Sequence, residues 1–414
     1  MTHGSKHVWP PTRISNVAFT ATCSVICDKI VVAQDGRMPS PSNPWALLYP
    51  QADQQKHQVE LSHALQRVCD SGSYILGAEV LAFEAEFAAF LGVNHLVGAA
   101  SGTDAIELML RALDIGPGSK VVVPSFAPSA VAAGVLRSGA KPVLADIEAG
   151  TFTLCPDSLD AVLHSFQGRG VKAVLVVHLF GHPADWGSLQ RVADEHGILL
   201  LEDCAQAHGA RWHDRMTGTL GRAAAFSFYP TKNLAALGDA GAVATQDAAL
   251  AERLRLIRQY GWKCRHVSEC VGVNSRMDEL QAAALRVKLG SLQEANDQRR
   301  RLVAQYNARL AHSRVVTPPM VRAGCEHVYH QYVVRCERRD ERVRQLQQAG
   351  IPVAVHYPVP LHHQPAFEGC SHDLLLHSEK AAAEVMSLPL HPYLPEDAVN
   401  AVCDAIERLD HADT

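Results

Sequence analysis

Apolar residues along this chain follow two alternating periods. Leu61, Leu65 and Val68 fall on one helical face of Glu60–Asp70, and Val80, Phe83, Phe87 and Phe90 do the same in Glu79–Leu91. Gly98–Ala105, GAASGTDA, then leads into an apolar helix, Ile106–Leu113. Beyond it, short apolar runs alternate with helical ones. Lys120–Val123 and Lys141–Ala145 flank a helix at Ser129–Ser138. The β-branched run Val171–Val177 precedes a helix at Trp186–His196, and Ile198–Leu201 ends in Glu202-Asp203. Strand and helix at this spacing predict a parallel sheet covered by helices, the α/β class. Ligands on such sheets gather at the carboxyl ends of the strands. His178, Asp203 and Lys232 all fall at or just after such ends.

The texture changes on either side of this region. Residues 1 to about 45 are rich in Ser, Thr, Pro and Val, and Met38 is followed by PSPSNP, a linker-like run. They read as a poorly ordered extension, or as a stretch preceding a true start at Met38. After about Leu280 the pattern is mainly helical, with Glu294–Arg314 expected as a solvated connecting helix. From His327 onward a smaller α+β domain is expected. The predicted division is an extension over 1–45, a large domain over 46–290 and a small one over 291–414.

Composition narrows the function classes. With 414 residues, 47% hydrophobic and 20% charged, the chain suits one large domain plus a smaller one. A formal charge of −5 is too mild to point to nucleic acid or an anionic membrane surface. No run approaches the roughly 18 apolar residues of a membrane-spanning helix. Eleven cysteines are scattered without a CxxC pair, which argues against structural zinc and against a secreted disulfide framework. Reduced thiols in a cytosol are expected, with no metal.

The candidate chemistry centres on Gly221–Val243, GRAAAFSFYPTKNLAALGDAGAV. Ala223–Phe228 reads as a buried strand, followed by a Pro-Thr-Lys-Asn turn and a Gly-Asp-Ala-Gly loop. Burying an ammonium is costly, so Lys232 needs an anionic or a covalent partner. An amine so placed suits Schiff-base chemistry. Asp203 closes an apolar strand, where a carboxylate is expensive unless paired. By itself it reads equally well as a cap of the next helix. Ser101, Gly102 and Thr103 start a helix, which makes either a phosphate cradle or a plain N-cap. Taken together, a lysine, an acid and a phosphate cradle are what pyridoxal phosphate requires. Gln206 could then reach the ring hydroxyl, and Ser227 could join Gly102 and Thr103 at the phosphate.

SGTDAIELML, HLFGHPAD, LEDCAQAHGA, FSFYPTKNLAALGDAGAV and GVNSRMDELQAAALRVKL occur in that order, with HYPVPLHHQPAF near the end. In combination, from about Gln58 to His391, the chain resembles the DegT/StrS family of pyridoxal-phosphate-dependent nucleotide-sugar aminotransferases. The resemblance implies a fold-type-I, aspartate-aminotransferase-like architecture and a homodimer with active sites at the subunit interface. It makes Lys232 the Schiff-base lysine, Asp203 the ring-nitrogen acid and Gln206 the ring-hydroxyl contact. Ser227 and the Gly102-Thr103 helix start become the phosphate site. Asn274 and Arg276 lie in the motif that approaches the phosphate from the neighbouring subunit. His178, Tyr229, Asn233, His330 and Tyr332 fall in substrate-side motifs.

Two positions depart from the family pattern. Where an aromatic residue usually stacks on the cofactor ring, the run Pro124-Ser125-Phe126-Ala127-Pro128 holds Pro128. Either that proline packs on the ring or Phe126 takes over. Ala240 stands where GDGG is common, and is tolerated unless the position needs a positive φ. A lysine at 232, rather than the histidine of a dehydratase subgroup, implies transamination, with L-glutamate as donor. The NSRMDELQAA form of the interface motif leans toward C-3 of a 6-deoxy-keto-hexose nucleotide. The rival readings are a keto-cyclitol acceptor, a non-catalytic regulator that binds the cofactor, and a nicotinamide protein. No GxGxxG follows a predicted strand, which speaks against the last.

Overall fold

The structure, a computed structural model, describes Leu47 and residues 50–412. The N-terminal extension, with Met38 in it, lies outside the described residues.

Eight strands form the central sheet: β1 His95–Ala99, β2 Lys120–Pro124, β3 Lys141–Ala145, β4 Val171–Val177, β5 Leu199–Asp203, β6 Ala224–Ser227, β7 Gly241–Thr245 and β8 Ser371–His372. Their order across the sheet is β1-β7-β6-β5-β4-β2-β3-β8. All neighbours pair in parallel except β7, which runs antiparallel to both β6 and β1. The reversal follows from connection length, because β6 and β7 are joined by Phe228–Ala240 with no crossover helix. That segment carries Lys232, and it leaves Ser227 paired with Gly241 and Ala99 paired with the same glycine. The carboxyl ends of β1, β4, β5 and β6 therefore lie along one edge.

Both faces of the sheet are covered, which is why its strands read as unbroken apolar runs. In β2, Val121 and Val123 join a core with Ile106, Val131 and Leu250, while Val122 faces the opposite core with Leu159, Leu189 and Trp186. In β4, Ala173, Leu175 and Val177 share the first face, and Val174 and Val176 the second. Near β1 and β6 the second face is closed by Val80, Phe83 and Phe87, packed on Phe226 and Phe228. The predicted helical stripe is thus a core contact, with Phe90 at its margin.

Two buried carboxylates here have their hydrogen bonds satisfied. Glu84 and Arg258 meet at 2.6 Å, and both also bind the backbone of Gly98. The Glu279 carboxylate accepts from the N–H groups of Gly77, Glu79 and Val80, and so caps the helix Ala78–Leu91.

Toward the C-terminus, Val316–Thr317, Tyr332–Cys336 and Val385–Leu388 form a three-stranded antiparallel sheet. The helix Leu292–Leu310 packs on it through Leu302, Val303, Tyr306 and Leu310. This corrects the expectation of a merely solvated connecting helix. Its charged residues hid a buried stripe at i, i+3 and i+4 spacing, which continues to Asn296 and Arg299. Leu361, Phe367 and Leu375 pack instead into the main sheet's core, and β8 extends that sheet. Asp146, just past β3, caps the helix Leu376–Glu384 by accepting from the backbone N–H groups of His377 and Ser378 at 2.8 Å.

Candidate active site

A cavity of about 240 Å³ opens at the carboxyl ends of β1, β4, β5 and β6. Its wall includes Gly102, Thr103, Asp203, Gln206, Ser227 and Lys232, together with Pro128 and Tyr229. Residues spread over 130 positions of sequence meet here because parallel strands deliver their ends to one edge.

The cradle is built by close backbone approach. Gly102 begins the helix Gly102–Ala112, with Ser101 as its N-cap accepting from the Asp104 N–H at 3.1 Å. The N–H groups of Gly102 and Thr103, in the first turn, have no intrahelical acceptor. A Cβ placed on Gly102 would come within 2.5 Å of the Ser227 Cβ, and one on Gly241 would collide with Ser101. The helix start, the end of β6 and the start of β7 are therefore pressed together. They present free N–H groups and a serine hydroxyl at one end of the cavity. That donor set fits a phosphate.

Lys232 is delivered by a turn closed by its own N–H donating to the Tyr229 carbonyl at 2.8 Å. Burial pulls its ammonium down to about 8, against a smaller opposing pull from Asp203. Asp203 is buried, and burial pushes its carboxyl up; the Ala205 N–H, donating at 2.9 Å, and the nearby Lys232 counter this. A desolvated amine and a desolvated acid thus share one cavity, each favouring the other's charged form. A ligand with a phosphate, an aldehyde and a basic ring nitrogen would satisfy the cradle, the lysine and the acid together. The residues fit pyridoxal phosphate.

Gln206 lines the cavity, yet its amide is already committed. Oε1 accepts from the Phe180 N–H at 2.6 Å and Nε2 donates to the Tyr357 hydroxyl at 3.1 Å. Tyr357 itself is a residue that the sequence reading passed over. Burial pushes its hydroxyl up to about 12, so it stays protonated and able to donate a hydrogen bond. The HYPVP run that contains it was the available signal. Pro128, rather than Phe126, faces the cavity, as N-cap of the helix Ser129–Arg137. Phe126 is fully buried among Phe152, Phe180 and Tyr357. Ala240 has no positive φ, so its side chain costs no strain.

Other expected site residues lie elsewhere. His178 does not line the cavity: its Nε2 meets Glu202 at 3.1 Å and its Nδ1 accepts from the Ala184 N–H. Glu202 also takes the N–H groups of Gly218, Leu220 and Gly221. Neighbours in β5 alternate faces, so Glu202 and its histidine sit on the side opposite Asp203. Tyr332 is fully buried in the C-terminal core, stacked on Tyr306, with its hydroxyl donating to Asn307. Asn233 donates to Asn296 and to the Val328 carbonyl, and its Oδ1 lies 3.3 Å from His330 Nδ1. Asn233 and His330 thus tie the lysine turn to the C-terminal part. Asn274 is exposed, and Arg276 lies over the Tyr260 ring, outside the cavity of its own chain. Between them, Ser275 donates to Asp104 at 2.7 Å and accepts from the Ala100 N–H, next to the cradle.

Residues 55–407 match the DegT/DnrJ/EryC1/StrS aminotransferase family. The chain is 44% identical over 361 residues to a dTDP-3-amino-3,4,6-trideoxy-alpha-D-glucose transaminase of Streptomyces venezuelae, covering 86% of this chain and 94% of the relative. The crystal structure of S. venezuelae DesV with a ketimine intermediate superposes with a TM-score of 0.84 at 42% identity, covering 87% and 97% of the two chains. NtdA of Bacillus subtilis, solved with the cofactor PMP bound, gives 0.81 at 25% identity over 92% and 87%. The chain belongs to the DegT/DnrJ/EryC1/StrS aminotransferase family, as a fold-type-I enzyme that uses pyridoxal phosphate.

Proposed function

We propose that this enzyme moves an amino group from L-glutamate to the C-3 keto group of a nucleotide-linked 6-deoxyhexose. The observation that carries the reading is Lys232 sharing one cavity with Asp203 and the Gly102–Ser227 cradle. The similarity to a transaminase named for a dTDP-3-amino sugar supports the choice of acceptor and carbon.

Bound there, pyridoxal phosphate supplies an aldehyde for the donor's nitrogen and a ring that draws off the electrons left by a departing α-proton. Asp203 keeps that ring's nitrogen protonated by its negative charge. Gly102, Thr103 and Ser227 fix the phosphate end, and Pro128 flanks the cavity. As a neutral amine, Lys232 would take the proton from the donor Cα and would serve afterwards as the acid that gives it back. The donor departs as its 2-oxo acid, with oxygen from water. In the second half-reaction the sugar ketone's oxygen leaves as water and nitrogen takes its place.

The enzyme acts in the cytoplasm as a homodimer, with Asn274 or Arg276 of each subunit reaching the other's phosphate site. Their position outside their own chain's cavity supports this. The cofactor-binding part is residues 50–290 together with the segment from Leu361 to Leu375, which packs on the same sheet, and the rest of the C-terminal region forms the smaller domain. Incubation of the purified enzyme with glutamate and a panel of 3-keto and 4-keto sugar nucleotides, followed by mass and NMR analysis, tests the assignment. A 3-amino product is expected; amination only at C-4, or of a cyclitol ketone alone, would replace it.

A further inference from the structure

Two adjacent histidines and a glutamate meet outside the cofactor cavity. His362 and His363 close the short helical turn Leu361–His363, and Glu379 lies on the helix Leu376–Glu384. His362 Nε2 stands 3.3 Å from Glu379 Oε1, and His363 Nε2 stands 3.7 Å from the same oxygen. One ligand-capable atom from each of the three lies within 4.8 Å of the others. As a hydrogen bond the first contact is long, and the second is none at all. As edges of a coordination shell both are ordinary, because ligands at about 2.0–2.1 Å around a tetrahedral zinc ion stand roughly 3.3 Å apart.

The group is anchored from behind and open in front. The His362 side chain is only 3% exposed, and its Nδ1 lies 2.6 Å from the hydroxyl of the fully buried Ser125. With Nδ1 donating to Ser125, Nε2 keeps its lone pair for a metal, the usual arrangement behind a ligating histidine. The His363 and Glu379 side chains are about half exposed, so an ion reaches them from solvent and His363 is free to swing onto it. Two imidazoles with one carboxylate suit zinc and its neighbours, whereas magnesium and calcium take oxygen ligands. The expectation of no metal rested on cysteine spacing, which says nothing of histidines that folding brings to a carboxylate.

We propose that His362, His363 and Glu379 bind one divalent transition-metal ion of the zinc class, with water in the fourth position. The ion ties the turn at Leu361 to the helix Leu376–Glu384. It also braces the strand end beside the cofactor cavity, because Ser125 accepts the Leu361 N–H at 2.9 Å as well as meeting His362, three residues before Pro128. This site does not depend on which ketone the enzyme aminates.

Calorimetric titration of the holoenzyme with zinc chloride, after removal of metal by a chelator, tests the site. Asp160, His164 and His196 form another group of candidate ligands on the surface, so His164→Ala serves as the parent. One equivalent should bind, and adding Glu379→Gln or His363→Ala should weaken that binding by about tenfold or more. Zinc should raise the Tm of the parent and leave that of either variant unmoved. Both substitutions alter half-exposed side chains, so the fold should survive them. A zinc-soaked crystal of the parent should show an anomalous peak among the three side chains. No stoichiometric binding, binding that neither substitution weakens, or a peak only at other residues would overturn the proposal.

Discussion

Gly102 and Ser227 are in van der Waals contact at the donor-lined end of the cavity, so close that a methyl on the glycine would sit 2.5 Å from the serine Cβ. One is the first residue of a helix after β1 and the other the last residue of β6. Their contact brings two sets of donors to one point. Substitution Gly102→Ala should push Ser227 aside, at a cost of about 1–3 kcal/mol for overpacking. Fluorescence titration of the apoprotein should show cofactor affinity falling about tenfold or more, while Gly290→Ala, whose added methyl meets nothing within 4 Å at a φ of −61°, leaves cofactor affinity unchanged.

The lysine's environment predicts how the apoprotein takes up its cofactor. Schiff-base formation needs the neutral amine, and burial holds Lys232 at about 8 rather than at the 10.5 of a free lysine. The rate of reconstitution should therefore climb with pH to about 8 and then level off. The same shift has a sign for stability. Between about 8 and 10.5 the unfolded chain binds the extra proton, so the contribution of Lys232 to apoprotein stability should rise with pH across that window. Lys232→Met should remove this component from the pH dependence of thermal unfolding.

Asp203 is expected to matter for turnover more than for folding. Asp203→Asn keeps the shape but cannot hold a ring nitrogen protonated by charge, and should lower kcat by about 10²-fold or more. Single-turnover spectra with glutamate would place the loss in the proton-transfer step. An unchanged kcat would show that the acid only holds the turn after β5, through the Ala205 N–H; no helix follows it to be capped.

Tyr357 and Gln206 form one unit with the Phe180 backbone. Removing the hydroxyl in Tyr357→Phe leaves the Gln206 Nε2 without its acceptor and should destabilise the protein by about 1–3 kcal/mol. Glu202→Gln on the opposite face should cost more, about 3–5 kcal/mol, because a buried carboxylate that takes three backbone N–H groups and His178 is replaced. The KM for either substrate should not change in the folded Glu202→Gln enzyme. Urea unfolding and steady-state kinetics on the same preparations separate the two effects.

The strands were readable wherever burial on both faces left an unbroken apolar run. Val171–Val177 and Lys141–Ala145 have the bounds that their composition suggests. The lysine turn and Asp203 were legible because charge at the end of a buried strand demands a reason. The partners of His178 and Gln206 were not. His178 meets a residue 24 positions away on the hidden face of β5, and Gln206 meets one 151 positions away. No local period encodes either contact. The helix after Ser291 misled for a related reason: its arginines and acids dominate the composition, while the buried stripe needs only every third or fourth position.

Transamination here requires a covalent bond between one side chain, Lys232, and the cofactor. Borohydride reduction of the holoenzyme, followed by proteolysis and peptide mass spectrometry, measures it. A pyridoxyl group on the peptide that contains Lys232, and its loss in Lys232→Ala, is the predicted result. Labelling of a different lysine, or none at all in a preparation saturated with cofactor, would contradict it.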